Sequence, residues 1–265
     1  MMGQIDFGGI AMSDLAREEF ARLYLAALDA AEEPALAARR ELWSGSEAVE
    51  KLWKICDRLL DNARRFNLTA ILEPGEIVRK HVLDSLIPLA LLAENGVEAR
   101  TILDVGTGAG FPLLPWAAVL PENRRLTGLD STAKKISHIR ECAAYAGLNS
   151  VSGIVGRAEE LACGKMREKY DLVTARAVAD LPVLLELCAP FVKKGGVFAA
   201  FKARGEDEIT RAKAAALILG LTEPDVFRYA LPGGDARLLL LYRKTAPTPK
   251  NSPRRWAEIL NHPIG

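Results

Sequence analysis

The spacing of apolar residues along this chain changes its period near residue 100. Up to about Leu92, hydrophobic side chains recur at helical intervals and no strand-like alternation is found. Ala and Leu run against Glu and Arg from about Ser13 to Arg40, which predicts a long helix. Ser44 and Glu47 are spaced as a capping box for a second helix, whose inner face carries Val49, Leu52, Trp53, Cys56, Leu59 and Leu60. The first dozen residues are glycine-rich and expected to be loose. Residues 1–95 therefore read as an acidic extension and a helical cap.

From Thr101 onward, short apolar bursts alternate with helical segments. Strands are predicted at Ile102–Val105, Leu126–Leu129, Val151–Val155, Asp171–Thr174 and Val197–Phe201. Helices are predicted at Pro112–Leu120, Lys134–Ala146, Leu181–Val192 and Glu206–Leu219, with Gly147 as a terminating glycine. Lys194-Gly-Gly marks where a helix gives way to a buried strand. Such alternation calls for a parallel sheet covered by helices on both faces. Val226–Leu231 and Leu238–Arg243 flank Pro232-Gly-Gly-Asp235 and read as an antiparallel hairpin closing the sheet. The expected fold is α/β: a mostly parallel seven-stranded sheet spanning residues 96–245, preceded by the helical cap. From Thr245 to Arg255 proline is too frequent for regular structure, so residues 246–265 read as a proline-rich basic tail.

With 265 residues, 49% of them hydrophobic, the chain can bury one α/β core and a smaller appended unit. No apolar run approaches the ~18–20 residues needed to span a bilayer, and no secretion signal opens the chain. Cys56, Cys142, Cys163 and Cys188 are scattered without a C-x-x-C pair, so reduced thiols in a cytoplasmic protein are expected and no metal site is. Net charge is only +1, but residues 1–50 hold 10 acidic and 4 basic side chains, whereas residues 237–265 hold 6 basic and 1 acidic. The basic end is suited to a polyanion.

The most informative stretch is Asp104-Val-Gly106-Thr-Gly108-Ala-Gly110-Phe111, where the first strand meets a helix. A dinucleotide-binding turn wants G-x-G-x-x-G, and Phe111 occupies its last position. The sequence instead has Asp-x-Gly-x-Gly-x-Gly, which resembles the first motif of S-adenosylmethionine-dependent methyltransferases with a Rossmann-like fold. Gly106 and Gly108 let a flat ligand approach bare backbone.

Asp130 follows the second strand, 24 residues after Gly106, where it either accepts ribose hydroxyls or caps the next helix in competition with Ser131. Ala158 and Glu159 follow the third strand; they suit an adenine edge, or Glu159 simply favours a helix dipole. Arg176 follows the fourth strand and points either into a pocket or to the surface; Lys202 after the fifth is similar. Lys80 with Asp84, and His81 with Ser85, are spaced as ordinary i,i+4 helical partners.

Asn67-Leu-Thr-Ala-Ile, Lys80-His-Val-Leu-Asp-Ser85, Asp104–Pro112, Leu129-Asp-Ser131, Arg157-Ala-Glu159, Thr174-Ala-Arg-Ala177 and the tail Lys244-Thr-Ala-Pro-Thr-Pro…Pro253-Arg-Arg together resemble the RsmG (GidB) family. That resemblance implies a class I methyltransferase fold and N7 methylation of a guanine in the decoding-region loop of 16S rRNA, with S-adenosylmethionine as donor. It implies cofactor contacts at Gly106, Phe111, Ala158, Glu159 and Arg176; Gly108 and Asp130 are added from the fold. The partner it implies is 16S rRNA or an assembling small subunit, with no role for DNA or a membrane. Asn67, Lys80, His81, Lys202, Arg254 and Arg255 are candidate RNA contacts, with Arg64, Arg65, Arg79, Lys244 and Lys250 as further cations. Three positions depart from the family pattern: Leu113 stands where another glycine is usual, Asp61-Asn62 replaces Trp-Asn, and residues up to about Leu42 extend beyond it.

Guanine N7 carries a lone pair and no proton, so its methylation needs no general base; Arg176 is expected to position, and no residue to exchange a proton. A nicotinamide-dependent dehydrogenase, an RNA-binding assembly protein without turnover, and a methyltransferase with a different acceptor are the rival readings.

Overall fold

The computed structural model describes residues 16–66, 68–203 and 205–264. The glycine-rich opening, Ser13 and Asn67 lie outside the described residues. The helical cap comprises α1 (Arg17–Ala30), a 3-10 turn at Pro34–Arg39, α2 (Arg40–Trp43), α3 (Ser46–Phe66), α4 (Pro74–Ile77), a π-helical turn at Val78–Leu83, and α5 (Asp84–Glu94). The sheet unit runs β1 (Thr101–Val105), α6 (Leu113–Val119), β2 (Arg125–Asp130), α7 (Ala133–Ala146), β3 (Val151–Val155), α8 (Ala158–Leu161) and β4 (Tyr170–Arg176). It continues with α9 (Leu181–Cys188), β5 (Val192–Lys202), α10 (Glu206–Ile218), β6 (Asp225–Ala230), β7 (Ala236–Arg243) and α11 (Trp256–Asn261).

The expected single helix to Arg40 is broken. Pro34 lacks an N–H and holds the preceding Glu33 extended, at φ −70° and ψ 115°, so α1 stops and a new turn begins. The capping box is not made either. Ser44 closes α2, its hydroxyl donating to the Glu41 carbonyl at 3.1 Å, and Glu47 pairs with Lys51 at 2.6 Å. The apolar face expected of α3 is correct: Leu52, Cys56 and Leu59 are fully buried.

The seven strands lie in the order β3-β2-β1-β4-β5-β7-β6, parallel through β5. The hairpin inserts β7 against β5 in antiparallel fashion and leaves β6 at the edge. Side chains alternate between two cores as the pleat demands. Ile102, Leu172, Val197 and Leu239 join the core under α3, α5, α6 and α7, whereas Leu103, Val173, Phe198 and Leu240 join the core under α9 and α10. The helix expected to reach Val192 ends at Cys188, a 3-10 turn carries Pro190, and β5 begins five residues before the predicted Val197.

The proline-rich stretch from Thr245 to Arg255 forms no helix or strand, as expected, but the chain then forms α11, whose Ile259 is fully buried. This tail lies against the sheet unit. The Arg167 guanidinium donates to the carbonyls of Thr248, Pro249 and Ser252 at 2.7–2.9 Å. Arg254 grips the buried Glu186 carboxylate of α9, at 2.6 Å to Oε2. Among the described residues, no helix is long and apolar enough to cross a membrane.

Candidate functional site

The C-terminal ends of β1, β2, β3 and β4 open onto one cavity of about 320 Å³, lined by Gly106, Asp130, Gly156, Ala158, Glu159 and Trp256, among others. The turn after β1 makes its floor. Gly106 has φ +69°, and a β-carbon there would stand 2.6 Å from Val178 Cγ2. Gly110 has φ +91°, with no room for a β-carbon beside Ile139 Cδ1 at 2.7 Å. The N–H groups of Gly106 and Thr107 both donate to the Leu129 carbonyl, at 2.7 and 3.0 Å, fastening the turn to β2.

Asp130 is buried and does two jobs at once. Its Oδ2 accepts from the Gly108 N–H at 3.2 Å, and its Oδ1 accepts from the Thr132 N–H at 2.9 Å. Glu159 is buried and ion-paired with Arg157. Beneath the turn, Asp104 accepts from the Thr174 hydroxyl at 2.9 Å through Oδ1, while its buried Oδ2 has no partner. Burial raises the Asp104 carboxyl to about 6. The lining carries the carboxylates of Asp130 and Glu159, each paired with a cation of the same lining, Lys135 and Arg157, while Asp104 lies beneath the turn and does not line the cavity. A carboxylate after the second strand suits the ribose diol of a nucleoside, so the residues present fit S-adenosylmethionine.

A second cavity, about 390 Å³, adjoins the first through Ala177, which lines both. His81, Asp84, Arg176, Lys202, Tyr229 and Arg237 are among its walls. Its centre is the buried carboxylate of Asp84. Tyr229 donates its hydroxyl to Oδ1 at 2.9 Å, and Arg176 Nη1 and Arg237 Nε approach Oδ2 at 3.3 and 3.4 Å. Arg176 also donates to the Lys80 carbonyl at 3.4 Å and faces His81 Nδ1 at 3.4 Å. A guanidinium has only donors to offer, so Nδ1 is the acceptor and the ring proton sits on Nε2, directed at Thr69 Oγ1 at 3.0 Å. Burial, and then the Arg176 charge, lower His81 to about 4, so it is neutral at physiological pH.

Of the cofactor residues expected from sequence, Gly106, Asp130, Ala158 and Glu159 line the first cavity. Gly108 supports it through Asp130. Phe111 and Arg176 do not line it. Phe111 stacks on His81, with centroids 4.8 Å apart and planes at 22°, and Arg176 belongs to the second cavity. The expected Lys80–Asp84 helical pair is absent: Lys80 lies on the π-helical turn that ends just before Asp84, which changes which side chains face one another. Lys80 pairs with Glu76 at 2.5 Å, while Asp84 turns to the arginines. Ser85 bonds the His81 carbonyl at 2.6 Å and leaves the ring alone.

Several expected RNA contacts are committed within the protein. Lys202 Nζ binds Glu208 at 2.6 Å and the Ala179 carbonyl at 2.9 Å. Arg254 is spent on Glu186, Arg79 on Glu76, Asp235 and the Pro232 carbonyl, and Lys244 is buried on the carbonyls of Ala189 and Leu219. Lys250 and Arg255 are exposed. Leu113 is fully buried in the core, away from both cavities. Sequence reasoning missed Trp256, Tyr229 and Arg237 as wall residues, since they lie on the hairpin and tail, far from any motif. A basic residue on the inward edge of the hairpin was the available signal for Arg237.

The family model described as "rRNA small subunit methyltransferase G" (GidB) matches residues 48–230. A ribosomal RNA small subunit methyltransferase G from Deinococcus radiodurans is 47% identical over 203 residues, 76% of this chain and 79% of its own length. The protein of that name from Acetivibrio thermocellus is 37% identical over 82% of this chain and 89% of its own. Two solved O-methyltransferases share the fold at 18% identity and TM-score 0.51, each covering 72% of this chain and 90% of its own: one from Bacillus cereus in complex with SAH and TomG from Streptomyces achromogenes in complex with SAM. The glycine-rich turn, the Lys-His and Asp-Ser block and this extent of identity agree: the chain belongs to the rRNA small subunit methyltransferase G (GidB) family.

Proposed function

We propose that this chain transfers a methyl group from S-adenosylmethionine to N7 of one guanine in 16S rRNA, in the bacterial cytoplasm. The observation that carries the reading is the pair of cavities joined at Ala177. One is floored by the glycine turn and carries Asp130 and Glu159 in its lining; the other, about 390 Å³, has Arg176 and Arg237 among its walls.

Gly106, Asp130, Ala158 and Glu159 would hold the cofactor, which when bound supplies an electrophilic methyl on a sulfonium. The remaining work is positional. Guanine presents N7 and O6 as neighbouring acceptors on one edge, and arginine or lysine donors complement that edge. Arg176 and Arg237 are held in place by Asp84, so O6 can be gripped while N7 stays open to the methyl group. His81 and Asp84 in the second cavity are both engaged within the protein. His81 is held neutral with its acceptor nitrogen turned to Arg176, and both Asp84 oxygens accept from donors. N7 has no proton to remove, so alignment and exclusion of water suffice; such orientation contributes roughly 7–11 kcal/mol in favourable cases. An in-line approach to N7 calls for the base to leave its stack.

The test is mass mapping of 16S rRNA from cells lacking the protein, with labelled-cofactor assays on deproteinised rRNA and on small subunits. Loss of one 7-methylguanosine, restored by the wild-type gene, supports the reading. An intact methylation pattern refutes it, and the substrate that accepts label tells naked RNA from particle.

A further inference from the structure

Only one aromatic side chain among the described residues lines the cofactor cavity, and it comes from the tail. Trp256 opens α11, outside residues 48–230 matched by the family model. Its indole is half-buried. The Arg157 guanidinium sits over it at 5.1 Å from the centroid, and Arg157 is in turn paired with Glu159. Glu159, Arg157 and Trp256 thus form one continuous wall beside Gly156 and Ala158, at the end of the cavity beyond β3.

That wall is held from behind. Two residues earlier, Arg254 donates its backbone N–H and Nε to Glu186 Oε1, both at 2.9 Å, and Nη2 to Oε2 at 2.6 Å. Glu186 is fully buried, so breaking this pair would leave its carboxyl group without the arginine that holds it. Arg167 fixes the preceding carbonyls, and Ile259 plugs the core beneath. Nothing about a solvated tail would need an arginine driven onto a buried glutamate. The arrangement sets the tryptophan in one place.

We propose that the tail is a structural part of the cofactor site, with Trp256 providing the aromatic wall for the adenine ring of S-adenosylmethionine. The inference rests on the cofactor reading above and adds a residue to it. A flat π-face is what the rest of the lining lacks: its other members are aliphatic, small, polar or charged. Base-on-aromatic stacking is lost on replacement by alanine with an effect of roughly 5- to 100-fold in affinity.

Calorimetric titration of the full-length protein with S-adenosylhomocysteine and, separately, with 5′-methylthioadenosine tests this. Trp256→Ala should weaken both ligands by the same factor, about fivefold or more, because both carry the adenine and only one carries the amino-acid end. Trp256→Phe should restore most of the affinity. At saturating donor kcat should stay near wild type while KM for the donor rises, the pattern of a residue that binds without acting on the reaction. Ligand-induced quenching of tryptophan fluorescence should disappear in Trp256→Phe. Wild-type affinity in Trp256→Ala, or quenching that survives in Trp256→Phe, overturns the proposal. If the wild-type protein itself binds neither ligand, the cofactor reading fails instead, and the two failures are told apart.

Discussion

Tyr229 donates its hydroxyl to Asp84 at 2.9 Å, joining residues 145 positions apart in the chain. The contact links the edge strand β6 to the first residue of α5, and so closes the hairpin over the helical cap. Burial and the neighbouring carboxylate raise the Tyr229 phenol well above its ordinary range, so it remains a donor at any physiological pH. Asp84→Asn should leave Arg176 and Arg237 without their shared counter-charge while the first cavity stays intact. We expect methyl transfer to fall roughly 10- to 100-fold through misplacement of the acceptor, with affinity for S-adenosylhomocysteine within threefold of wild type, about 0.7 kcal/mol. Parallel loss of cofactor binding would show that Asp84 serves the whole fold and not the acceptor cavity.

Leu113 and Gly128 are fitted to each other. A β-carbon on Gly128 would stand 2.9 Å from Leu113 Cδ2 and 3.0 Å from Thr107 Cγ2. The leucine that departs from the family pattern thus fills space left by a side-chain-free position on β2. Gly128→Ala should destabilise the protein by about 1–3 kcal/mol through overpacking. Pairing it with Leu113→Ala should recover part of that loss, a non-additive double-mutant cycle measured by urea unfolding. Strict additivity of the two changes would mean the residues do not share the space.

Much of this was legible before any coordinates. Strand and helix alternation after Thr101 placed β1 to β4 within a residue or two, because buried parallel strands are bare apolar runs between glycine and polar breaks. The turn at Gly106 was legible for a local reason, its spacing. What sequence hid was long-range. Lys80 and Asp84 look like helical partners until the π-helical turn sends Asp84 to Arg176 and Arg237, 92 and 153 residues away. The tail's cations looked alike, yet Arg254 and Lys244 are committed inside the fold while Lys250 and Arg255 are exposed. No local pattern separates an arginine that meets water from one that meets a buried Glu186.

The tail cations should accordingly divide into two classes. Lys250→Ala with Arg255→Ala should weaken RNA binding and flatten its salt dependence, by up to about two in the slope of log affinity against log salt. The melting temperature should hold. Arg254→Ala should do the reverse, costing about 3–5 kcal/mol by leaving Glu186 buried without its partner. Filter binding at several salt concentrations and thermal melts of the two variants would separate the classes. An unchanged salt slope in the double variant would remove the tail from the RNA interface.

Acid sensitivity follows from two histidines, His138 buried and His81 partly buried. Burial lowers His81 and His138 to about 4 each, against the usual 6.5. As pH falls from 6.5 towards 4 the unfolded chain takes up both protons and the native state does not, so stability present above pH 6.5 is progressively lost. Each histidine accounts for ~3 kcal/mol of that loss. Asp104, raised to about 6, works in the opposite sense: its contribution is present below the usual 3.8 and lost as pH rises through about 6. Two histidines against one carboxyl leave a net fall in stability on acidification. His138 isolates the effect. Asn62 Nδ2 donates to its Nδ1 at 3.0 Å and to Glu141 at 3.2 Å, and the ring also bonds the Ala109 carbonyl in the glycine-rich turn. His138→Gln can offer an acceptor and a donor in the same place without titrating. Its urea midpoint should therefore drop less than that of wild type between pH 7.5 and pH 4.5, and an equal drop would assign the acid sensitivity to other groups.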